Sequence, residues 1–506
     1  MSRHIILSNP VLSIFFFIIF SVTIYSQEAR TLTLESTLDI ALTNSYRVKK
    51  LELGIENQMY KLEAEQAGLK SSVYLTLKAP EIKNVADTKW NSELQQDEIV
   101  HQNTQLWQSE LTVKQPVILF GFPTDGYVSL NYKVYRYQQL KEDEADDVNF
   151  YNRLYFEFDQ PFFLPNKLKN NLERAELNLE QRKMEYLSDR MQIVEDITND
   201  YYRLFRIVYR NNLFEDQLKV FDEISKIAAN KTAQDSAKKV DLLQIGLEKA
   251  NLTESYLDNS ASMRNEFANL KQKLRIGLGD SLSIDTKVNI DKLIIEPEQA
   301  IECAEKYNPW LKWDIINKRK SELGIDDASS DNAFFVNLHI SYGLENQDNR
   351  FANIWERFEN SNSISLDAYV PIWDWGKRDA KIMAERKNVE RQVLDVEEQR
   401  ENIRKNITNQ IINQSEYQTR ALNLKKSTEL AAEFRDLSIE QYRNDEISIQ
   451  DLVKVLQSYF ETEEKFLDIY IAYRRSLLSI KINSFFDFEK NEPMFSGVDW
   501  NQFQQK

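Results

Sequence analysis

The chain has 506 residues, 42% hydrophobic and 28% charged, with only 11 Gly and 10 Pro. Ordinary usage of about 7% Gly and 5% Pro would supply several times as many backbone breakers, so collagen-like, low-complexity and turn-rich all-β designs are excluded. With 80 acidic residues against 64 basic ones the net charge is -16, and such a surface repels nucleic acid.

Residues 1–26 differ from everything after them. Arg3 and His4 precede an apolar run from Val11 to Phe20, and a cleavage point follows Ser26, which is the layout of a secretory signal. The bland alternative is an uncleaved anchor, but the run is shorter than the ~20 residues a spanning helix needs. No later segment is as apolar, so the mature chain is expected to have no transmembrane helix. The single cysteine, Cys303, offers neither a disulfide framework nor an N-terminal lipidation site.

In chain order, an opening helix around Ala41–Lys49 leads to a strand in which Val73, Leu75, Leu77 and Ala79 alternate with polar residues. Leu111 and Val113, then Val128, Leu130, Tyr132 and Val134, alternate in the same way on either side of a turn at Gly121–Gly126. Leu154, Phe156 and Phe158 mark another strand. From Asn166 to Ile245 there is neither Gly nor Pro, and Leu168, Leu172, Ala175, Leu179 and Leu187 follow a 3.6-residue period. A helix from Lys167 to Asn230 runs about 95 Å at 1.5 Å per residue, so the chain is elongated.

The second half repeats this order. Its strands carry Val336–Tyr342 and Ile364–Val370, and a second breaker-free stretch spans Lys377–Glu492 with Ile382, Val389, Val396, Ile403, Ile407 and Ile411 in a narrow, coiled-coil-like stripe. Pro161 and Lys167 overlay Pro371 and Lys377 at an offset of 210, which also pairs Asp241 with Asp451 and Arg264 with Arg474. Upstream, Ala41–Lys49 overlays Ala304–Lys312 at an offset of 263, so the first repeat carries about 53 extra residues, read as an added hairpin. The boundaries are a signal over 1–26, a first repeat over 27–295, a second over 296–488 and a tail over 489–506 that matches neither. Each strand has one apolar and one polar face, which suits either an ordinary half-buried sheet or a tilted membrane strand of ~9–11 residues.

The repeat openings LTLESTLDIALTNSYRVKKLELGIE (Leu32–Glu56) and EPEQAIECAEKYNPWLK (Glu296–Lys312), the motifs QPFFLPNK and VPIWDWGKR, and the return segments beginning at Lys238 and Tyr442 resemble the TolC-like outer-membrane efflux family. The resemblance spans about Leu32 to Phe488. It implies a mainly α fold with β strands: long coiled-coil-like helices forming a periplasmic α-barrel, plus strands contributed to a trimeric transmembrane β-barrel. The implied partners are two further copies of the chain, a periplasmic adaptor, an inner-membrane pump and outer-membrane lipid. The hairpin departs from the family pattern and is expected on the extracellular side.

A passive duct calls for no cofactor, metal or catalytic group, and His101 and His339 stand apart from any metal-ligand spacing. By resemblance, the functional residues lie at the tip, where each long helix turns back. Asp451 falls on the aperture ring, Lys454 stands where a second acid is usual, Tyr442 matches a latch tyrosine, Asp241 its carboxylate partner, and Ile447 the place of the usual latch Arg. A plainer reading makes Asp241 and Asp451 first-turn acids favoured by the helix dipole. Asn444 and Asp445 replace the usual turn glycine and tolerate a left-handed backbone. The other function class is a soluble periplasmic adaptor or scaffold, which would interleave Gly-rich modules that this composition lacks.

Overall fold

The computed structural model describes residues 30–92, 95–140, 146–234 and 239–503. The segment read as a signal lies outside the described residues. Two short helices open each half: α1 (Leu34–Asn44) and α2 (Tyr46–Ala67) in the first, α5 (Pro297–Tyr307) and α6 (Pro309–Ser330) in the second. Ser45 separates the first pair by accepting the Val48 N–H, and Asn308 separates the second by accepting from Trp310 and Leu311.

The breaker-free stretches form the long helices α3 (Lys167–Gln234, 68 residues) and α7 (Lys377–Arg443, 67 residues), with return helices α4 (Lys239–Leu274) and α8 (Ile449–Ser484) of 36 residues each. α3 and α7 are each about 100 Å long. The starts of α1 and α5 stand 263 positions apart, and those of α3 and α7, and of α4 and α8, stand 210 apart, matching the two sequence offsets.

Six strands make one antiparallel sheet in the order β2 (Ser72–Asn91), β3 (Gln96–Leu119), β4 (Phe122–Leu140), β5 (Asp147–Phe162), β7 (Phe335–Asp348) and β8 (Glu359–Tyr369). A small parallel pair joins β1 (Arg30–Leu32) to β6 (Leu282–Ile284).

The extra residues of the first repeat are not an appended extracellular hairpin. β3 and β4 are full strands between β2 and β5, and their turn at Phe120–Gly121 lies at the helix end of the sheet. Inside the sheet both strands pair on both sides, whereas an appended hairpin would add free edges. Only the far end of the β2–β3 hairpin, from Val85↔Gln102 to Asn91↔Gln96, runs beyond the β3–β4 ladder, which ends at Asn103↔Leu140.

The rod has its core where Tyr201, Leu204 and Phe205 of α3 meet Leu270 and Leu274 of α4 and Leu467, Tyr470 and Ile471 of α8. Arg206 pairs with Asp468 at 2.8 Å and Arg210 with Glu464 at 2.7 Å, tying α3 to α8. The tail has a place as well. After a short pair of strands, β9 (Phe486–Asp487) and β10 (Glu492–Pro493), Phe503 is buried beside Ile55 and Tyr186, with Trp500 edge-on to the Tyr186 ring. Among the described residues no helix is long and apolar enough to cross a membrane.

Candidate functional site

At the tip, α7 ends at Asn444, Asp445 takes a left-handed φ of 62°, and Ser448 caps α8. Tyr442, 2% exposed, packs with Phe221, Ile224, Ile245, Leu452 and Leu456, so residues of α3, α4, α7 and α8 share one cluster. Burial, with a smaller contribution from the negative charges of Asp241 and Asp445, pushes its phenol up to about 12. The hydroxyl has no hydrogen-bond partner among the described residues, so Asp241 is near Tyr442 without accepting from it.

The group that clasps the tip was missed in the sequence. Lys231 of α3 donates to the Tyr442 carbonyl and, at 2.7 Å, to Asp445 Oδ1, and its ammonium lies 4.4 Å from the centre of the Tyr442 ring. Its signal was faint: one basic residue in the last turn of a helix, with Gln441 at the repeat-equivalent position. Arg443 adds a second tie, 2.6 Å from Glu223.

Asp451 and Lys454 are not drawn into this cluster. The Ser448 hydroxyl donates to Asp451 Oδ2 at 2.7 Å while the Asp451 N–H donates back to it, and Lys454 stands 3.7 Å from the same carboxylate. Both side chains are exposed, so this pair within one helix is worth little in stability. α4 and α8 are bridged here by Gln450 donating to Gln244 at 3.3 Å.

The sheet is inverted relative to a water-soluble one. On one face Val73, Val113, Leu130, Phe156 and Tyr342 form a row across five strands, and on the other Thr112, Asn131 and Tyr155 form the adjoining row. Leu111 and Leu130 are 42% and 46% exposed, whereas Thr112 and Asn131 are 5% exposed. The polar face is a network: Asn131 donates to Glu157 at 3.0 Å, Tyr155 to Glu110 at 2.7 Å and Arg153 to Glu345 at 2.6 Å, and His339 Nδ1 lies 2.7 Å from Asp159. Among the described residues no group of three His, Cys, Asp or Glu could hold a metal ion.

Sheet and rod join where the long helices begin. Asp374 accepts the N–H groups of Gly376 and Arg378 at the start of α7, at 2.9 and 3.0 Å. At the start of α3 the N–H groups of Lys167 and Leu168 are accepted by Asp125, at 2.6 and 2.7 Å, from the start of β4, and that of Lys169 by Asn166 at 2.9 Å.

The fold is shared with solved outer-membrane proteins. The chain superposes on CusC, solved in work on folding and transmembrane channel formation, with a TM-score of 0.65 at 12% identity, covering 89% of this chain and 91% of that one. The CmeC outer-membrane channel of Campylobacter jejuni gives 0.65 at 13% identity, covering 93% and 88%. The outer-membrane protein VceC of Vibrio cholerae gives 0.64 at 12% identity, covering 91% and 96%. No family model and no curated protein sequence matches the chain. The fold is that of TolC-like outer-membrane channels.

Proposed function

We propose that the chain forms an outer-membrane exit duct. Three copies build one barrel in the membrane and one helical conduit in the periplasm. The tip docks on a periplasmic adaptor, and an inner-membrane pump supplies energy and substrate, in a tripartite efflux or type I secretion machine. The protein itself is a conduit without enzymatic chemistry, opened and closed at the tip around Tyr442, Asp241, Asp451 and Lys454.

The observation that carries this reading is the inverted sheet. A face that exposes Leu111, Leu130, Ile364 and Leu366 while its reverse buries Thr112 and Asn131 is costly in water and apt in lipid around a wet lumen. The apolar run of β7 from Val336 to Leu344 spans about 26 Å along the strand and roughly 20 Å after tilting, close to the height of a membrane barrel's apolar band. Exposed aromatics border it, with Phe122, Phe163, Trp373 and Trp375 at the helix end and Trp107, Phe351 and Trp355 at the other, as in an interfacial girdle.

Detergent extraction of cell envelopes followed by mass measurement tests the location and copy number. A trimer from the outer-membrane fraction is expected, and a water-soluble monomer would overturn the reading. In planar bilayers, replacing Tyr442 and Asp241 by alanine is expected to raise single-channel conductance. Unchanged conductance would remove the gate from the tip.

A further inference from the structure

Among the described residues the sheet has two free edges, β2 and β8. From Ser72 to Lys78 every β2 residue is exposed, as is all of β8 except Ser365, whereas most of β4, β5 and β7 is half-buried or buried. In lipid, an unpaired row of backbone donors and acceptors costs several kcal/mol per group, so both edges need a partner. Because the six strands alternate in direction, β8 of one copy runs antiparallel to β2 of the next, and the sheet can continue from chain to chain.

The internal repeat supplies the register. Within one chain the first repeat meets the second at the β5–β7 ladder, where Glu157 pairs with Ser341 and Phe158 with Ile340. Between copies the second repeat meets the first, residues of β8 corresponding to those of β5 at the 210 sequence offset and residues of β2 to those of β7 at the 263 offset. Carrying the ladder across sets Asp367 opposite Lys78 and Ala368 opposite Leu77. Two features not used in that derivation agree with it. Leu77 and Ala368 both lie on the apolar face, and the pair on the polar face carries opposite charges.

We infer that copies of this chain join β8 to β2 with Asp367 opposite Lys78, and that three copies of the six-stranded sheet close an eighteen-stranded barrel. The inference rests on the trimeric duct proposed above. A protomer without β3 and β4 would close at twelve strands. With strands about 4.7 Å apart and tilted by about 40°, the backbone diameter rises from roughly 24 Å to roughly 35 Å. The barrel is then a wide mouth, and the tip sets the smallest passage.

Cysteine cross-linking tests the register. In a Cys303→Ala background, Leu77→Cys combined with Ala368→Cys is expected to give oxidised dimers and trimers in cell envelopes, while each single cysteine gives only monomers. As a second measurement, Lys78→Glu is expected to lower the dissociation temperature of the detergent-purified trimer by roughly 5 °C, with Asp367→Lys in the same chain restoring most of it. A membrane trimer with neither cross-link nor rescue overturns the inference and leaves the duct reading standing. A membrane dimer overturns the eighteen-strand count. A soluble monomer overturns the duct reading and the inference with it.

Discussion

The two long helices begin alike and are capped from different places. Asp374 stands three residues before Lys377 and caps α7 from its own strand–helix junction. At the equivalent position of the first repeat the residue is Leu164, whose side chain has no acceptor to offer, and Asp125 reaches the first N–H groups of α3 from the start of β4, next to the β3–β4 turn. That turn is clamped in place. Gln160 donates to the Thr124 carbonyl at 2.8 Å and accepts from the Thr124 hydroxyl at 2.8 Å, and Asp125 itself is held at a left-handed φ of 60°. The second repeat caps its helix from its own junction alone, whereas in the first the local cap Asn166, which accepts the Lys169 N–H at 2.9 Å, is joined by Asp125 of the added strands, so those strands tie the sheet to the rod.

Making the first repeat like the second should disturb the molecule most. Replacing residues 86–148 by residues 349–358 leaves the Lys167 and Leu168 N–H groups of α3 without their acceptor and narrows each sheet to four strands, and the yield of detergent-resistant oligomer is expected to fall to background. Adding Leu164→Asp supplies a second local acceptor beside Asn166 and should recover part of the yield. A swapped chain as stable as the parent would show that the turn is dispensable to α3.

A milder test leaves the strands in place. Asp125→Ala is expected to cost about 1–2 kcal/mol in chemical denaturation, the range for a lost N-cap, and Leu164→Asp should offset most of it. Asp374→Ala should destabilise in the same direction without responding to Leu164→Asp. Rescue of both variants by that one substitution would mean that the two junctions are not independent.

The repeats differ again at the far end of the return helices. Arg474 of α8 donates to the Tyr202 hydroxyl at 2.8 Å and lies 2.9 Å from Glu489, while its counterpart Arg264 on α4 is exposed. Burial alone would raise the Glu489 carboxyl, but Arg474 and Lys481 outweigh it and hold the group below its ordinary range. A carboxyl depressed on folding stabilises the chain above its unfolded value near 4.3 and loses that contribution as pH falls through the lower folded value. Glu489→Gln is therefore expected to cost about 1 kcal/mol at neutral pH and progressively less below about pH 4, read from denaturation at a series of pH values. A constant difference across the series would detach Glu489 from the acid sensitivity.

Much of this was legible in the sequence because it is local or repeated. Missing Gly and Pro marked α3 and α7, and two offsets reproduced the starts of four pairs of helices. What escaped depends on contacts distant in the chain. Asp125 lies 42 positions before Lys167, Phe503 packs on Ile55 and Tyr186, and Lys231 reaches Asp445 across the whole second opening segment. The added strands show the limit most clearly. Alternation identified them as strands with one apolar face, but pairing partners are not encoded in alternation, so their place between β2 and β5 could not be read from it.

The tip carries the last asymmetry and the smallest effect. Tyr442 fills the cluster that joins the four long helices, whereas its counterpart in the first repeat is Thr232, whose hydroxyl donates to the Ala228 carbonyl one turn back. If the ring does this by packing and by lying under the Lys231 ammonium, its hydroxyl contributes little, since it has no partner among the described residues. Tyr442→Ala should then cost about 3–5 kcal/mol and raise conductance, as expected for an aromatic ring removed from a core. Tyr442→Phe keeps the ring and removes a buried polar group that makes no hydrogen bond, so its stability should stay within about 0.5 kcal/mol of the parent and its conductance should not change. A phenylalanine variant that opens the channel like the alanine one would assign the latch to the hydroxyl and, with it, to a bond with Asp241 that forms only in the assembled tip.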